Sequence, residues 1–184
     1  MEALLQLDGN ILLWIQQYIR HDFMDWFWTS ITTLGNFGWF WITLSIILLF
    51  FKPTRKAGFV SLLSLGFCFL IANGILKPLV ARPRPYTQIA ALEILIPPEK
   101  DLSFPSGHTT ASFASACILF RMLPKKYGVC AVVLAVLIAL SRLYVGIHYP
   151  TDVIGGVVIG VFGSMLVYHV YLWAEKKWQA KAAR

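Results

Sequence analysis

Three short clusters in this sequence hold residue types that do chemistry: Lys77 to Arg84-Pro85, Pro105-Ser106-Gly107-His108, and Ser141-Arg142 with His148 and Asp152. Each residue has an ordinary reading when taken alone. Lys77 and Arg142 suit snorkelling ends of membrane spans, either histidine suits a hydrogen-bonded interfacial position, and Asp152 suits a helix cap. Jointly they describe an anion site. Ser106 precedes a helix-like run from Thr109 and is placed to cap it, leaving the first-turn N–H groups of Gly107, His108 and Thr109 free. Such a helix start attracts negative charge. Gly107 has no Cβ to hold a ligand off. Lys77, Arg84 and Arg142 match a multiply charged oxyanion, which planar guanidinium groups grip with paired hydrogen bonds. Phosphate fits this set best.

The third cluster adds a nucleophile. Pro150 disfavours helix at Tyr149, so His148 is expected in a short outward turn. Asp152 follows four residues later in the first turn of the next helix. That spacing lets the carboxylate reach His148 Nδ1–H, fix the tautomer and stabilise positive charge on the ring. A neutral His148 Nε2 can then attack phosphorus, while His108 across the pocket protonates the leaving oxygen and later activates water.

The elements that must position these residues are membrane helices. The chain has 184 residues, 58% apolar and 14% charged, with a mean hydropathy of +0.66. A soluble domain averages about 45–50% apolar and about 25% charged. A disordered tail, a disulfide-rich secreted domain and a coiled coil are excluded. The expected class is all-α, a polytopic membrane helix bundle in one domain over residues 1–184. A span takes about 20 residues, so about six transmembrane helices would use most of the chain. No cleavable signal peptide is expected, because Glu2 and Asp8 stand where a basic n-region would. The net charge of +7 does not indicate nucleic acid, since the basic residues fill the gaps between apolar runs. Cys68, Cys117 and Cys130 each lie alone in an apolar run and suit packing rather than a metal site or a disulfide.

Residues 3–19 are amphipathic, suiting either an interfacial helix or a tilted first span. Residues 22–35 are rich in Trp and Phe and are the other candidate for the first span. Apolar spans follow at 37–51, 58–76 (ended by Lys77-Pro78), 107–123, 127–147 and 153–173, with a polar, basic tail from 175 to 184. The stretch 78–105, with six of the nine prolines, is a loop that cannot cross a bilayer and is long enough to be functional. Small residues at Ala131, Ala135 and Ala139, and at Gly156 and Gly160, favour close helix packing.

Alternation of the last four spans puts Lys52, Arg55, Lys56, Arg121, Lys125, Lys126, Lys176, Lys177, Lys181 and Arg184 on one side. Lys77, Arg82, Arg84, Lys100 and Arg142 fall on the other, a split of ten to five. The positive-inside rule makes the first side cytoplasmic. The expectation is an integral, multi-pass plasma-membrane protein with its site at the outer face and its C-terminus in the cytoplasm.

In order and spacing, Lys77-x6-Arg84-Pro85, Pro105-Ser106-Gly107-His108 and Ser141-Arg142-x5-His148-x3-Asp152 resemble the three-part signature of the type-2 phosphatidic acid phosphatase (lipid phosphate phosphatase) superfamily. The resemblance covers roughly residues 20–173. It implies a six-span helical phosphatase that needs neither metal nor cofactor. It makes His148 the nucleophile of a phosphohistidine, Asp152 its partner and His108 the general acid. Lys77, Arg84, Ser106, Gly107 and Arg142 would hold the phosphate. Arg82 lies outside the signature and is expected at the lipid surface or on a second phosphate. The soluble haloperoxidase branch, which binds vanadate in the same place, does not suit six apolar spans. The expected reaction is hydrolysis of a lipid phosphate or diphosphate, with undecaprenyl diphosphate first and phosphatidylglycerophosphate or phosphatidate as the alternative. A non-catalytic lipid-binding or transport protein is the alternative of another class. The partners implied are the lipid phosphate and membrane lipids. The oligomeric state is not written in the sequence.

Overall fold

The structure is a computed structural model that describes residues 2–182, so Arg184 lies outside it. Its helices are α1 (Glu2–Tyr18), α2 (Asp22–Leu34), α3 (Trp39–Leu49), α4 (Arg55–Phe69), α5 (Lys77–Val80), α6 (Pro85–Gln88), α7 (Gly107–Met122), α8 (Lys125–Tyr144) and α9 (Pro150–Ala182). No strand occurs among the described residues. Helix α7 is central and packs against α4, α8 and α9. Close approach to α9 depends on its glycines: a Cβ at Gly156 would lie 2.9 Å from the Ser106 carbonyl oxygen, and one at Gly160 would lie 2.7 Å from Phe113 Cβ. Ala131, Ala135 and Ala139 of α8 are buried, as their spacing predicts.

Several polar side chains inside the bundle pair with one another, because a lone hydroxyl in hydrocarbon is costly. Trp41 Nε1 donates to Ser112 Oγ at 2.9 Å, while Ser45 donates to Ser61 at 2.8 Å and Ser61 pairs with Ser115 at 2.7 Å. Phe59, Phe69, Ile154, Phe162 and Leu166 are exposed on the outside, the apolar surface that lipid covers.

Three stretches are long and apolar enough to cross a membrane: Arg55–Gln88, Lys125–Tyr144 and Pro150–Ala182. The pair α2 and α3, bent by 45°, is long and apolar enough only when its two helices are taken together. Helix α7, at 16 residues, falls short by length but is sheltered by its neighbours. The expected count of six is not confirmed. Neither candidate for the first span is, by itself, among the helices long and apolar enough to cross: α1 has 17 residues and α2 has 13. Helix α1 lies against the site end of the bundle: Asp8, within it, meets Thr151 at the start of α9, and Arg20, just beyond it, meets the Tyr144 carbonyl at the end of α8. Residues 22–35 supply the first arm of the bent pair, and the break holds Phe37 and Gly38 at positive φ (51° and 69°).

Two boundaries also differ from expectation. The helix does not stop at Lys77-Pro78. It passes through a π-helical turn, Leu70–Leu76, into α5, and ends at Ala81 with φ 48°. The wide turn already breaks the regular ladder, so the N–H that Pro78 lacks is not missed. The basic tail stays helical to Ala182, making α9 33 residues long.

Candidate active site

The loop from Arg82 to Ser106 folds over the end of the bundle where α5, α7, α8 and α9 meet. Helix α1 holds its middle: Gln16 Nε2 donates to the Ala91 carbonyl at 3.0 Å, Gln16 Oε1 accepts from Glu93 N–H at 2.8 Å, and Arg20 donates to the Glu93 carbonyl at 2.7 Å. The three sequence clusters converge there.

Ser106 caps α7, but its hydroxyl accepts from Thr109 N–H at 3.4 Å and from the Thr109 hydroxyl at 3.0 Å. The first-turn N–H groups open to an anion are therefore those of Gly107 and His108, not Thr109 as the sequence suggested. The Ser106 N–H donates to the Asp152 carbonyl at 3.1 Å and locks the start of α7 to the start of α9. A Cβ on Gly107 would stand 4.0 Å from Lys77 Nζ, so this backbone and that ammonium face one space.

Arg84 and Arg142 are buried, 3% and 0% exposed. Two carboxylates of the loop meet these cations. Glu99 binds Arg84 at 2.5 Å and also pairs with Arg142, while Asp101 pairs with both Lys77 and Arg84. Burial alone would raise both carboxyl groups. The charges of Arg142 and Arg84 hold Glu99 below its ordinary range, and the hydrogen bond from Lys77 with the charge of Arg84 does the same for Asp101. Both are thus anions in the cradle that the sequence assigns to phosphate. They were visible only as acidic residues in a long loop.

His148 is 1% exposed, buried in its turn rather than displayed. Its Nε2 lies 3.1 Å from an Arg84 Nη. Arginine only donates, so Nε2 accepts and the neutral ring carries its proton on Nδ1. Burial first, then the Arg84 and Arg142 charges, hold the imidazole well below its ordinary value and keep it neutral. Asp152 Oδ2 stands 3.5 Å from Nδ1, near enough for charge but too long for a good hydrogen bond, and Nδ1 has no other partner among the described residues. Asp152 instead accepts from the Ser103 hydroxyl at 2.5 Å and from Tyr149 N–H at 2.9 Å. Ser103 is fully buried, and no sequence pattern announced it. His108 Nε2 donates to Asn36 Oδ1 at 3.0 Å, which ties it to the α2–α3 break; Gly35 leaves room, since a Cβ there would come 2.5 Å from the His108 ring.

Arg82 is neither on a lipid surface nor aimed at a second phosphate. It donates to Asp152 Oδ1 and to Asp8 Oδ2, both at 2.7 Å, and stacks 3.9 Å from the Tyr149 ring centre.

Lys77, Gly107, His108 and His148 line one cavity of about 1090 Å³; Arg84, Ser106, Arg142 and Asp152 lie behind its wall. Away from the polar end the cavity runs between α3 and α4, along Ile42, Leu62, Leu65 and Phe69. Among the described residues no group of three or more His, Cys, Asp or Glu is arranged to hold a metal ion.

Comparison with known proteins supplies independent findings. A model of the PAP2 superfamily matches residues 57–176. A lipid A 4'-phosphatase of Porphyromonas gingivalis is 31% identical, over 97% of this chain and 78% of that protein. An undecaprenyl-diphosphatase of Sulfolobus acidocaldarius is 35% identical, over 68% of this chain and 61% of that protein. The crystal structure of a transmembrane PAP2-type phosphatidylglycerolphosphate phosphatase from Bacillus subtilis superposes with a TM-score of 0.76. It shares 31% identity and covers 96% of this chain and 88% of that one.

Proposed function

Because this chain belongs to the PAP2 superfamily, we propose that it hydrolyses a lipid phosphate through a phosphohistidine on His148, with an isoprenoid diphosphate such as undecaprenyl diphosphate as its substrate. One observation carries the reading: a neutral, buried His148 stands beside three cations, at the polar end of a cavity whose other walls are apolar. A headgroup fits the first part and a lipid tail the second. Glu99 and Asp101 mark two anion positions that share Arg84, which suits two linked phosphates.

In the first step His148 Nε2 attacks phosphorus, the bond to the leaving oxygen breaks, and His108 gives that oxygen its proton. Arg84 must swing its Nη from Nε2 onto the phosphate. Lys77, Arg142 and the N–H groups of Gly107 and His108 would stabilise charge on the equatorial oxygens. In the second step His108 takes a proton from water, the oxygen attacks phosphorus, and phosphate leaves with His148 restored.

Coverage favours a second reading. The lipid A 4'-phosphatase and the phosphatidylglycerolphosphate phosphatase match more of this chain than the undecaprenyl-diphosphatase does. A phosphate-release panel in detergent with EDTA decides: undecaprenyl diphosphate, phosphatidylglycerophosphate, phosphatidate and lipid A. Turnover is expected on undecaprenyl diphosphate above the others. His148→Ala is expected to lose several orders of magnitude in rate and to form no phosphoenzyme. Release from His148→Ala within tenfold of wild type would overturn the mechanism, and release from monoesters alone would overturn the substrate.

A further inference from the structure

We propose that Asp8, in α1 and outside the matched family region, is a positioning residue for this reaction, holding Asp152 against His148 through Arg82 and Thr151. The proposal rests on His148 being the nucleophile.

Asp8 is 2% exposed, although it belongs to an amphipathic helix where an aspartate would ordinarily face water. Both of its oxygens are engaged. Oδ2 accepts from Arg82 at 2.7 Å and from the Thr151 hydroxyl; Oδ1 accepts from Thr151 N–H at 3.2 Å. Arg82 uses its other Nη on Asp152 Oδ1 at 2.7 Å and on the Thr151 hydroxyl at 2.6 Å. Asp8 therefore grips both the residue that holds Asp152 and the residue that precedes it in the chain. Arg82 is further fixed by the Tyr149 ring, one residue from His148. The chain of contact is Asp8, Arg82, Asp152, His148, and each member is mostly buried.

Charge gives this chain a consequence that packing alone does not have. Asp8, Arg82 and Asp152 together carry one net negative charge beside a ring that turns positive as it bonds to phosphorus. Without Asp8 the Arg82 charge falls wholly on Asp152, and the net charge beside the ring is zero. The other charges facing His148 are Arg84, Glu99 and Lys77 from the loop side and Arg142 from α8, with His108 opposite on α7, and the substitutions below leave them in place.

The test compares purified Asp8→Asn, Asp8→Glu, Arg82→Gln and the double variant Asp8→Asn/Arg82→Gln with wild type and His148→Ala, by pH profile and by the split of kcat from KM. Removing an outer partner of a reactive group in metal sites costs about 10–100-fold, and Asp8→Asn is expected to lose a similar factor in kcat with KM nearly unchanged. Its acidic limb should move to lower pH by about half a unit or more, because protonated His148 loses a stabilising charge. Asp8→Glu should recover part of kcat. Arg82→Gln leaves two negative charges and should move the limb to higher pH; the double variant should bring it back towards wild type. A wild-type kcat and limb in Asp8→Asn, or limbs that shift in the same direction in Asp8→Asn and Arg82→Gln, would overturn the proposal. Should Asp8→Asn fail to fold, Arg82→Gln reads the same charge from the other side, and an unmoved limb there overturns it. Turnover that survives His148→Ala would instead remove the nucleophile assignment on which the proposal stands, whatever the Asp8 variants do.

Discussion

Glu99 and Asp101 pair with the cations of the proposed phosphate cradle, so a phosphate bound there would displace them from Arg84 and Arg142. Arg142 has no exposure, and a buried cation stripped of its partner is unfavourable by about 3–5 kcal/mol. Glu99→Gln should therefore make the free protein less stable and the empty cradle hungrier for an anion. Vanadate, which can mimic five-coordinate phosphorus, is expected to inhibit Glu99→Gln about tenfold more tightly than wild type, a shift of about 1.4 kcal/mol. It should also raise the melting temperature of Glu99→Gln more than that of wild type. Equal or weaker inhibition would show that the carboxylate organises Arg142 rather than competing for it. The cations, both histidines and Asp152 were legible in the sequence because each stands at fixed spacing from a Pro, Gly or Ser that shapes its turn. Glu99, Asp101, Ser103 and Asp8 were not. Their roles come from a loop and a helix folded over the bundle end, and loop closure leaves no periodic trace.

At the scale of elements, the α7–α9 contact sets the distance between Ser106 and Asp152. The hydropathy marked where the helices α4, α7, α8 and α9 lie, though not how many spans the chain makes, and the small-residue spacing foretold this contact, but the break at Gly35 to Gly38 and the π turn before Lys77 were not foreseen. Apolar runs record which residues face lipid or core, not where a helix bends. Both bends serve the site, since one supplies Asn36 to His108 and the other presents Lys77 to Gly107. A methyl at Gly156 would press on the Ser106 carbonyl and on Thr109 Cβ, each 2.9 Å away. Overpacking of this kind is unfavourable by about 1–3 kcal/mol. Gly156→Ala is expected to lower the melting temperature and cut kcat about tenfold or more, by prising the start of α9 from α7. Gly74→Ala, whose Cβ would meet nothing within 4 Å, should leave turnover near wild type. Equal losses in both variants would show that glycine mobility, not contact, matters here.

At the scale of the whole molecule, the two ends of the bundle carry cations of different kinds. At the site end, Arg82 is paired with Asp8 and Asp152, Lys77, Arg84 and Arg142 with Glu99 and Asp101, and Arg20 with the Tyr144 and Glu93 carbonyls. These charges serve packing and chemistry. At the other end lie Lys52 just before α4 with Arg55 and Lys56 in its first turn, Arg121 in the last turn of α7, Lys125 and Lys126 at the start of α8, and Lys176, Lys177 and Lys181 towards the end of α9. The Lys56–Glu175 pair at 2.5 Å shows that the first and last of these groups share one side. Helix α9, at about 50 Å, is longer than the roughly 30 Å hydrocarbon layer and carries its basic last turns beyond it. Positive charge near span ends is retained in the cytoplasm. By that rule the split of ten to five would turn the site outward, and this sidedness is a prediction. A single cysteine placed at Lys100, in a variant without the native cysteines, should react with an impermeant maleimide on intact cells. One placed at Lys181 should react only after the membrane is opened. The opposite pattern would put His148 and its cradle on the cytoplasmic face, where a lipid diphosphate released outside could not reach them, and would turn the substrate assignment towards lipids phosphorylated within.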